Sequence, residues 1–93
     1  MFDDVLREIQ QKIRDQNYVM TLHAEEEMSE DDLSIFDIEQ GVLTGKILER
    51  QTDSVTLESK YRIRGQTLDN DTVEIIVKLS PTGKVVIITV YLL

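Results

Sequence analysis

Lys60, Arg62 and Arg64 recur at every second residue, and Lys78 lies in the next apolar run. At that spacing the first three side chains share one face of a strand. Guanidinium and ammonium groups gathered there are suited to hold phosphate and to stabilise the charge that develops in phosphodiester cleavage. His23 is the chain's only histidine. It is the one side chain here that exchanges protons near neutral pH without a large pKa shift. On a helix, Glu26 and Glu27 stand three and four positions on, close enough to orient or charge it. Tyr91 offers a ring on which a base could stack. The chemistry to expect is therefore phosphate held by Arg62, Arg64, Lys60 and Lys78, with His23 moving protons. A plainer reading stands beside it: His23 satisfied at a helix start by backbone or glutamates, the cations relieved by Glu58 and Glu74, and Tyr91 packing. Metal ligation would have to draw on His23, Glu26 or Glu27, and Asp31 or Asp32. A site needs three or four convergent ligands, and one histidine in a charge run predicts neither a metal nor a cofactor. The chain holds no phosphate loop, nucleophile elbow or Cys/His pair.

These residues must be carried by strands. Tyr61, Ile63 and Thr67 alternate with Lys60, Arg62, Arg64 and Gln66, and Val73, Ile75, Val77 and Leu79 alternate with Glu74, Ile76 and Lys78. Between the runs lies Leu68-Asp69-Asn70-Asp71-Thr72, rich in turn formers. A three-residue turn over Asp69-Asn70-Asp71 brings the two apolar rows to one face, whereas a two-residue turn separates them. That turn predicts Ile63 opposite Val77, Tyr61 opposite Leu79 and Arg62 opposite Lys78. Gly65 marks a close backbone approach or a bulge. Ser80-Pro81-Thr82-Gly83 is a second turn. The last run, Val85 to Tyr91, is apolar on both sides, as in an interior or covered strand. Pairing Leu79 with Lys84 puts Val86, Ile88 and Val90 in the core and Val85, Ile87 and Tyr91 opposite. A bulge at Gly83 exchanges the two sets.

The first half reads as helix. Val5 or Leu6, Ile9 and Ile13 recur at helical spacing over residues 3–16, behind Asp3 and Asp4, and Asn17 is the expected stop. Tyr18-Val19-Met20 is either a brief edge strand or an extended entry to the next helix. Thr21 caps that helix, whose inner face carries Leu22, Ala24 or Glu25, and Met28. Ser34 with Asp37 resembles a capping box. The third helix follows over Ile35–Leu43, with Ile35, Phe36, Ile38, Val42 and Leu43 as its stripe and Gly45 as its stop. Lys46 to Gln51 reads as a strand, and residues 52–59 as a polar loop. The fold class this predicts is α+β in a single domain, 1–93. Helices (1–45) pack on one face of a four-stranded antiparallel sheet (46–93), and the other face stays open.

The net charge is −8, unevenly placed: residues 1–45 hold 12 acids and 3 bases, and residues 46–93 hold 6 and 7. Overall acidity disfavours autonomous nucleic-acid binding, because phosphate neutralisation supplies most of that affinity. A local basic cluster still leaves weak or ribosome-assisted RNA binding open. The absence of cysteine excludes a disulfide framework. No apolar run nears the ~20 residues of a membrane span. The acidic, amphipathic start is unlike a signal peptide. A soluble cytoplasmic protein is expected.

Thr21-Leu22-His23-Ala24, then Glu26 and Met28, Leu33-Ser34, Asp37-Ile38, Gly45-Lys46-Ile47, Tyr61 to Gly65 and Val86 to Tyr91 together resemble the DUF4258 family. The resemblance covers about residues 18–91. It implies a RelE/ParE-like toxin superfold, RelE-like in its sheet, and the toxin of a type II toxin–antitoxin pair. Such a toxin is a metal-independent mRNA endoribonuclease neutralised by a cognate antitoxin-like protein. Carried over, His23 matches the family histidine, and Arg62 and Arg64 match its basic strand. Many members carry arginine where this chain has Glu27 and Asp31, which removes two phosphate-binding candidates. The alternative is a non-catalytic protein-binding module of the same fold, holding an antitoxin-like partner or a second copy as a homodimer.

Overall fold

A computed structural model describes residues 1–93. The chain runs α1 (Asp3–Arg14), β1 (Tyr18–Met20), α2 (Leu22–Glu30), α3 (Ile35–Leu43), β2 (Lys46–Thr52), β3 (Ser59–Gln66), β4 (Thr72–Leu79) and β5 (Val85–Leu92). The sheet has five strands in the order β1-β5-β4-β3-β2. This corrects the expected four-stranded antiparallel sheet. Tyr18–Met20 pairs in parallel with Val85–Ile87, so the sheet is mixed. The fold class remains α+β, with three helices. Three residues are too few to show a period, and only the partner strand makes them a strand.

Each helix ends in local chemistry. α1 closes with Gln16 at φ 56, where Asn17 N–H donates to the Lys12 carbonyl and Gln16 N–H to that of Ile13. The stop is thus one residue before the expected Asn17. α2 is capped by Thr21, whose hydroxyl accepts from Ala24 N–H, and α3 by a complete Ser34–Asp37 capping box. Ile9, Ile13, Ala24, Ile38 and Val42 are the helical share of the core. Leu22 and Phe36, expected in the apolar stripes, stand 71% and 64% exposed, because α2 and α3 each bury only a narrow face.

The first hairpin has the expected loop length but not the expected position. Thr67 N–H donates to the Asp71 carbonyl and Asn70 takes φ 65. The three-residue loop is therefore Leu68-Asp69-Asn70, one residue earlier. Parity survives, so the apolar rows still share a face. The partners change: Tyr61 faces Val77, Ile63 faces Ile75, Arg62 faces Ile76 and Arg64 faces Glu74. Asn70 decides this, because it tolerates the left-handed conformation that closes such a turn, and the Thr67 hydroxyl secures it by accepting from Asp71 N–H.

The second hairpin turns on Pro81-Thr82-Gly83, with Gly83 at φ 89 and Ser80 N–H donating to the Lys84 carbonyl. Leu79 consequently faces Val85, not Lys84. A bulge then interrupts β5, where Ile76 faces Thr89 but Val77 faces Ile87. The buried set is Val85, Ile87 and Val90, neither of the two alternating sets read from the sequence. One extra residue, Ile88, shifts the phase midway.

α3 lies almost on the backbone of the sheet. A Cβ on Gly65 would sit 1.8 Å from the Gly41 carbonyl oxygen, and one on Gly41 would sit 2.7 Å from Val73 Cγ1. Gly65 thus marks the close approach of α3. The Gly41 that weakens α3 in isolation, by about 1 kcal/mol relative to Ala, is what lets the helix dock.

Candidate functional site

The helices leave one sheet face bare, and Arg62, Arg64, Glu74, Ile76, Lys78, Thr89 and Tyr91 fall on it. At its centre stands Glu74, with its side chain 2% exposed. Arg64 grips one carboxylate oxygen from β3, with Nε at 2.7 Å and Nη2 at 2.5 Å. Arg62 Nη1 lies 3.2 Å from both oxygens. The Tyr91 hydroxyl donates to the second oxygen from β5. Three donors on two neighbouring strands therefore converge on one buried acid. Burial alone would raise the Glu74 carboxyl, but hydrogen bonds from Tyr91, Arg64 and Arg62 outweigh it and hold the group below its ordinary range. The same bond raises Tyr91, aided by burial. The bond to Glu74 also raises Arg62.

The surrounding charges are looser. Arg62 Nε lies 3.5 Å from Glu49, and Lys78 Nζ lies 3.3 Å from Glu58. Lys78 faces Lys60 across the strands, so the cross-strand like-charge pair is two lysines, not Arg62 with Lys78. Glu58 relieves one of them. Lys46 stands opposite Arg64. The face carries Lys46, Lys60, Arg62, Arg64 and Lys78 against Glu49, Glu58 and Glu74, a local excess of cations on an acidic protein. Two shallow depressions flank Arg62 and Arg64. Glu49, Gln51, Lys60, Arg62 and Ile76 line the first, and Lys46, Arg64, Gly65 and Thr72 are among those lining the second.

His23 is elsewhere. It sits in the first turn of α2, against the outer edge of β5, with its side chain 65% exposed and Nε2 3.1 Å from Glu27 Oε1. β4 and β5 separate it from the arginines on β3, about 10 Å of sheet at ordinary strand spacing. Glu27 has a second duty, because the same oxygen accepts from Val90 N–H at 3.1 Å. One helical turn later Asp31 accepts from Leu92 N–H at 3.2 Å. β1 pairs only with Val85–Ile87, and beyond it these carboxylates take the place of a neighbouring strand. The Thr21 hydroxyl donates to the Ile88 carbonyl at the bulge.

The structure thus brings Arg62, Arg64 and Tyr91 together, places Lys60 and Lys78 side by side at one end of the face, and leaves His23 apart. In the sequence Glu74 is legible only as one acid placed to relieve the cations. Its parity with Lys78 put it on the cationic face, but its place among the arginines depended on the turn. Glu27 and Asp31, read as lost phosphate contacts, are edge caps. Their spacing of four on a helix was the available signal.

The family model described as "Domain of unknown function (DUF4258)" matches residues 20–92, and the chain belongs to that family. The match takes in the whole cluster around Glu74 together with His23, Glu27 and Asp31. No curated protein and no solved structure matches the chain. No helix is long and apolar enough to cross a membrane.

Proposed function

We propose that this protein is a non-catalytic protein-binding module whose open sheet face receives an acidic, antitoxin-like partner. One observation carries the reading: buried Glu74 already occupies Arg62, Arg64 and Tyr91. A nuclease needs guanidinium groups free to meet charge as it develops on phosphate, and a proton carrier within hydrogen-bond reach. Here both arginines are bound from below, and His23 lies beyond β5. Arginine and tyrosine held rigid and part-exposed are the side chains enriched at interface centres. The surplus of cations favours a partner that presents carboxylates.

The test is a titration against the product of the adjacent open reading frame and, separately, against RNA. Tight binding of the first, weakened by Arg62→Ala/Arg64→Ala, with RNA neither bound nor cut, supports the module. RNA cleavage that is lost in the same double variant overturns it.

A toxin-like ribonuclease is the second reading, and the exposure of Arg64 favours it: 47% of that side chain remains open beside Lys46. On this reading the outer edge of the guanidinium holds phosphate while the inner edge stays on Glu74. Expression of the chain alone then arrests growth, and His23→Ala shows whether the histidine takes part. Normal growth with abundant soluble protein counts against it.

A further inference from the structure

Every closure found at the β5 edge is missing at the other end of the sheet. No side chain or loop hydrogen-bonds to the outer backbone edge of β2, Lys46–Thr52. A bulge at Leu48 interrupts this strand, and beyond it Glu49–Thr52 runs regularly against Arg62–Ser59. That regular segment leads straight into the loop 53–58. The loop is held firmly: Asp53 Oδ1 accepts from Val55 N–H at 2.8 Å and Thr56 N–H at 2.9 Å, and Asp53 N–H donates to the Glu58 carbonyl. Those amides keep the Asp53 carboxyl below its ordinary range. Yet the loop presents Val55 88% exposed and Leu57 75% exposed, and Leu57 adopts φ 62. The left-handed region costs a residue with a Cβ roughly 1–2 kcal/mol. Leu57 closes the loop, its N–H donating to the Asp53 carbonyl, a place that suits Gly or Asn. A leucine there gains no burial within the chain for its strain. A strained, exposed, apolar side chain on a rigid loop beside an open strand is the kind of outlier from which a contact can be inferred.

We propose that Glu49–Thr52 and the 53–58 loop form a strand-addition site for an extended acidic segment of a partner protein, with Val55 and Leu57 as its apolar anchors. The proposal rests on the binding-module reading and specifies the form of the partner. Main-chain hydrogen bonds to the free edge supply affinity, and side-chain complementarity supplies selectivity. The site's own acids are engaged, Glu49 by Arg62, Glu58 by Lys78, and Asp53 by the Val55 and Thr56 amides with Lys60 nearby. Lys46, Arg50 and Lys60 flank the site as exposed cations in no salt bridge. They call for carboxylates on the added strand. A second copy of this chain fits poorly. Antiparallel self-pairing that keeps both faces continuous must centre on a residue facing itself. Centring on Glu49 or Arg50 opposes like charges directly, and centring on Leu48 opposes Arg50 to Lys46.

The test selects binders from a display library of random peptides about ten residues long, an ordinary strand with its flanks. Binding is then mapped by amide hydrogen exchange on the full chain. The expected peptides alternate apolar and acidic residues and protect amides within Glu49–Thr52. Leu57→Gly relieves the strained backbone, so it leaves the melting temperature unchanged or higher while weakening these peptides by about tenfold or more. A structural role for Leu57 alone gives the opposite pattern. Selected peptides that leave the β2 amides unprotected, indifference to Leu57→Gly, or failure to select any peptide overturns the proposal. RNA cleavage dependent on Arg62 and Arg64 overturns the binding-module reading instead, and leaves the β2 protection to be read separately.

Discussion

The two edges of this sheet are treated in opposite ways. At the β5 edge a short parallel strand, a threonine hydroxyl and two helix carboxylates take up backbone groups from Val85 to Leu92. At the β2 edge there is only a bulge and a few charges, the minimal guard against unwanted pairing. The difference shows where the acidic half of the chain goes. Its carboxylates include backbone acceptors for the sheet, so acidity there is not simply a solvated surface. The centre of the sheet repeats the device with side-chain donors, since Glu74 organises two arginines and a tyrosine. Apart from the three residues of β1, the strand edge left unpaired is that of β2, and the loop that follows it exposes Val55 and Leu57.

The largest effect should come from removing the central acid. Glu74→Ala unties β3 and β5 from the central strand, but the two arginines it leaves are 30% and 47% exposed and stay within reach of water. The loss therefore falls short of that for a fully buried pair, at about 2–3 kcal/mol. Urea denaturation measures it, and a loss under 1 kcal/mol would mean that the cluster is not holding the sheet. At the closed edge, Glu27→Ala and Asp31→Ala each expose a backbone amide, at roughly 1–3 kcal/mol. Hydrogen exchange should speed up at Val90 in the first variant and at Leu92 in the second, without crossover. If both amides keep their protection, the carboxylates are not the caps.

The pH dependence follows from the same cluster. The Glu74 carboxyl lies below its unfolded value, so its stabilisation is present above the ordinary glutamate range near pH 4. It is lost as pH falls through the lowered value. Tyr91 is shifted upward, so its contribution is complete below about pH 10. It fades as pH rises through the raised value. Thermal melts across both limits should show two declines. Tyr18, raised by burial and by its bond to Glu39, shares the alkaline one, so Tyr91→Phe should shrink that decline and Tyr18→Phe/Tyr91→Phe should remove it. The smallest effect belongs to the open edge. Arg50→Glu on β2 touches no closure and should change stability by no more than about 0.5 kcal/mol. A large loss there would mean that β2 is covered after all, and the contrast between the edges would fail.

The glycines show how local rules and packing can disagree. By propensity Gly41 weakens α3, and Gly45 reads as a stop that adopts a left-handed turn. The structure gives both a packing role, since a Cβ on Gly45 would meet Ile63 Cγ2 at 2.5 Å and Gly41 lies against Val73. Gly83 alone among the glycines takes positive φ, as the turn at Ser80–Gly83 requires.

Alternation and capping are local properties, and from them the sequence alone settles three helices, four of the five strands, the capping box and the shared face of the two apolar rows. The resemblance of its motifs also places the chain in its family. Whatever depends on two distant segments meeting was left to the tertiary structure. The parallel partner of Tyr18–Met20, the bulge at Ile88 and the one-residue shift of the first turn belong to that class. The shift matters most, because parity cannot distinguish registers two residues apart. Only the turn geometry around Asn70 sets Glu74 opposite Arg64, and with it the central feature of the open face.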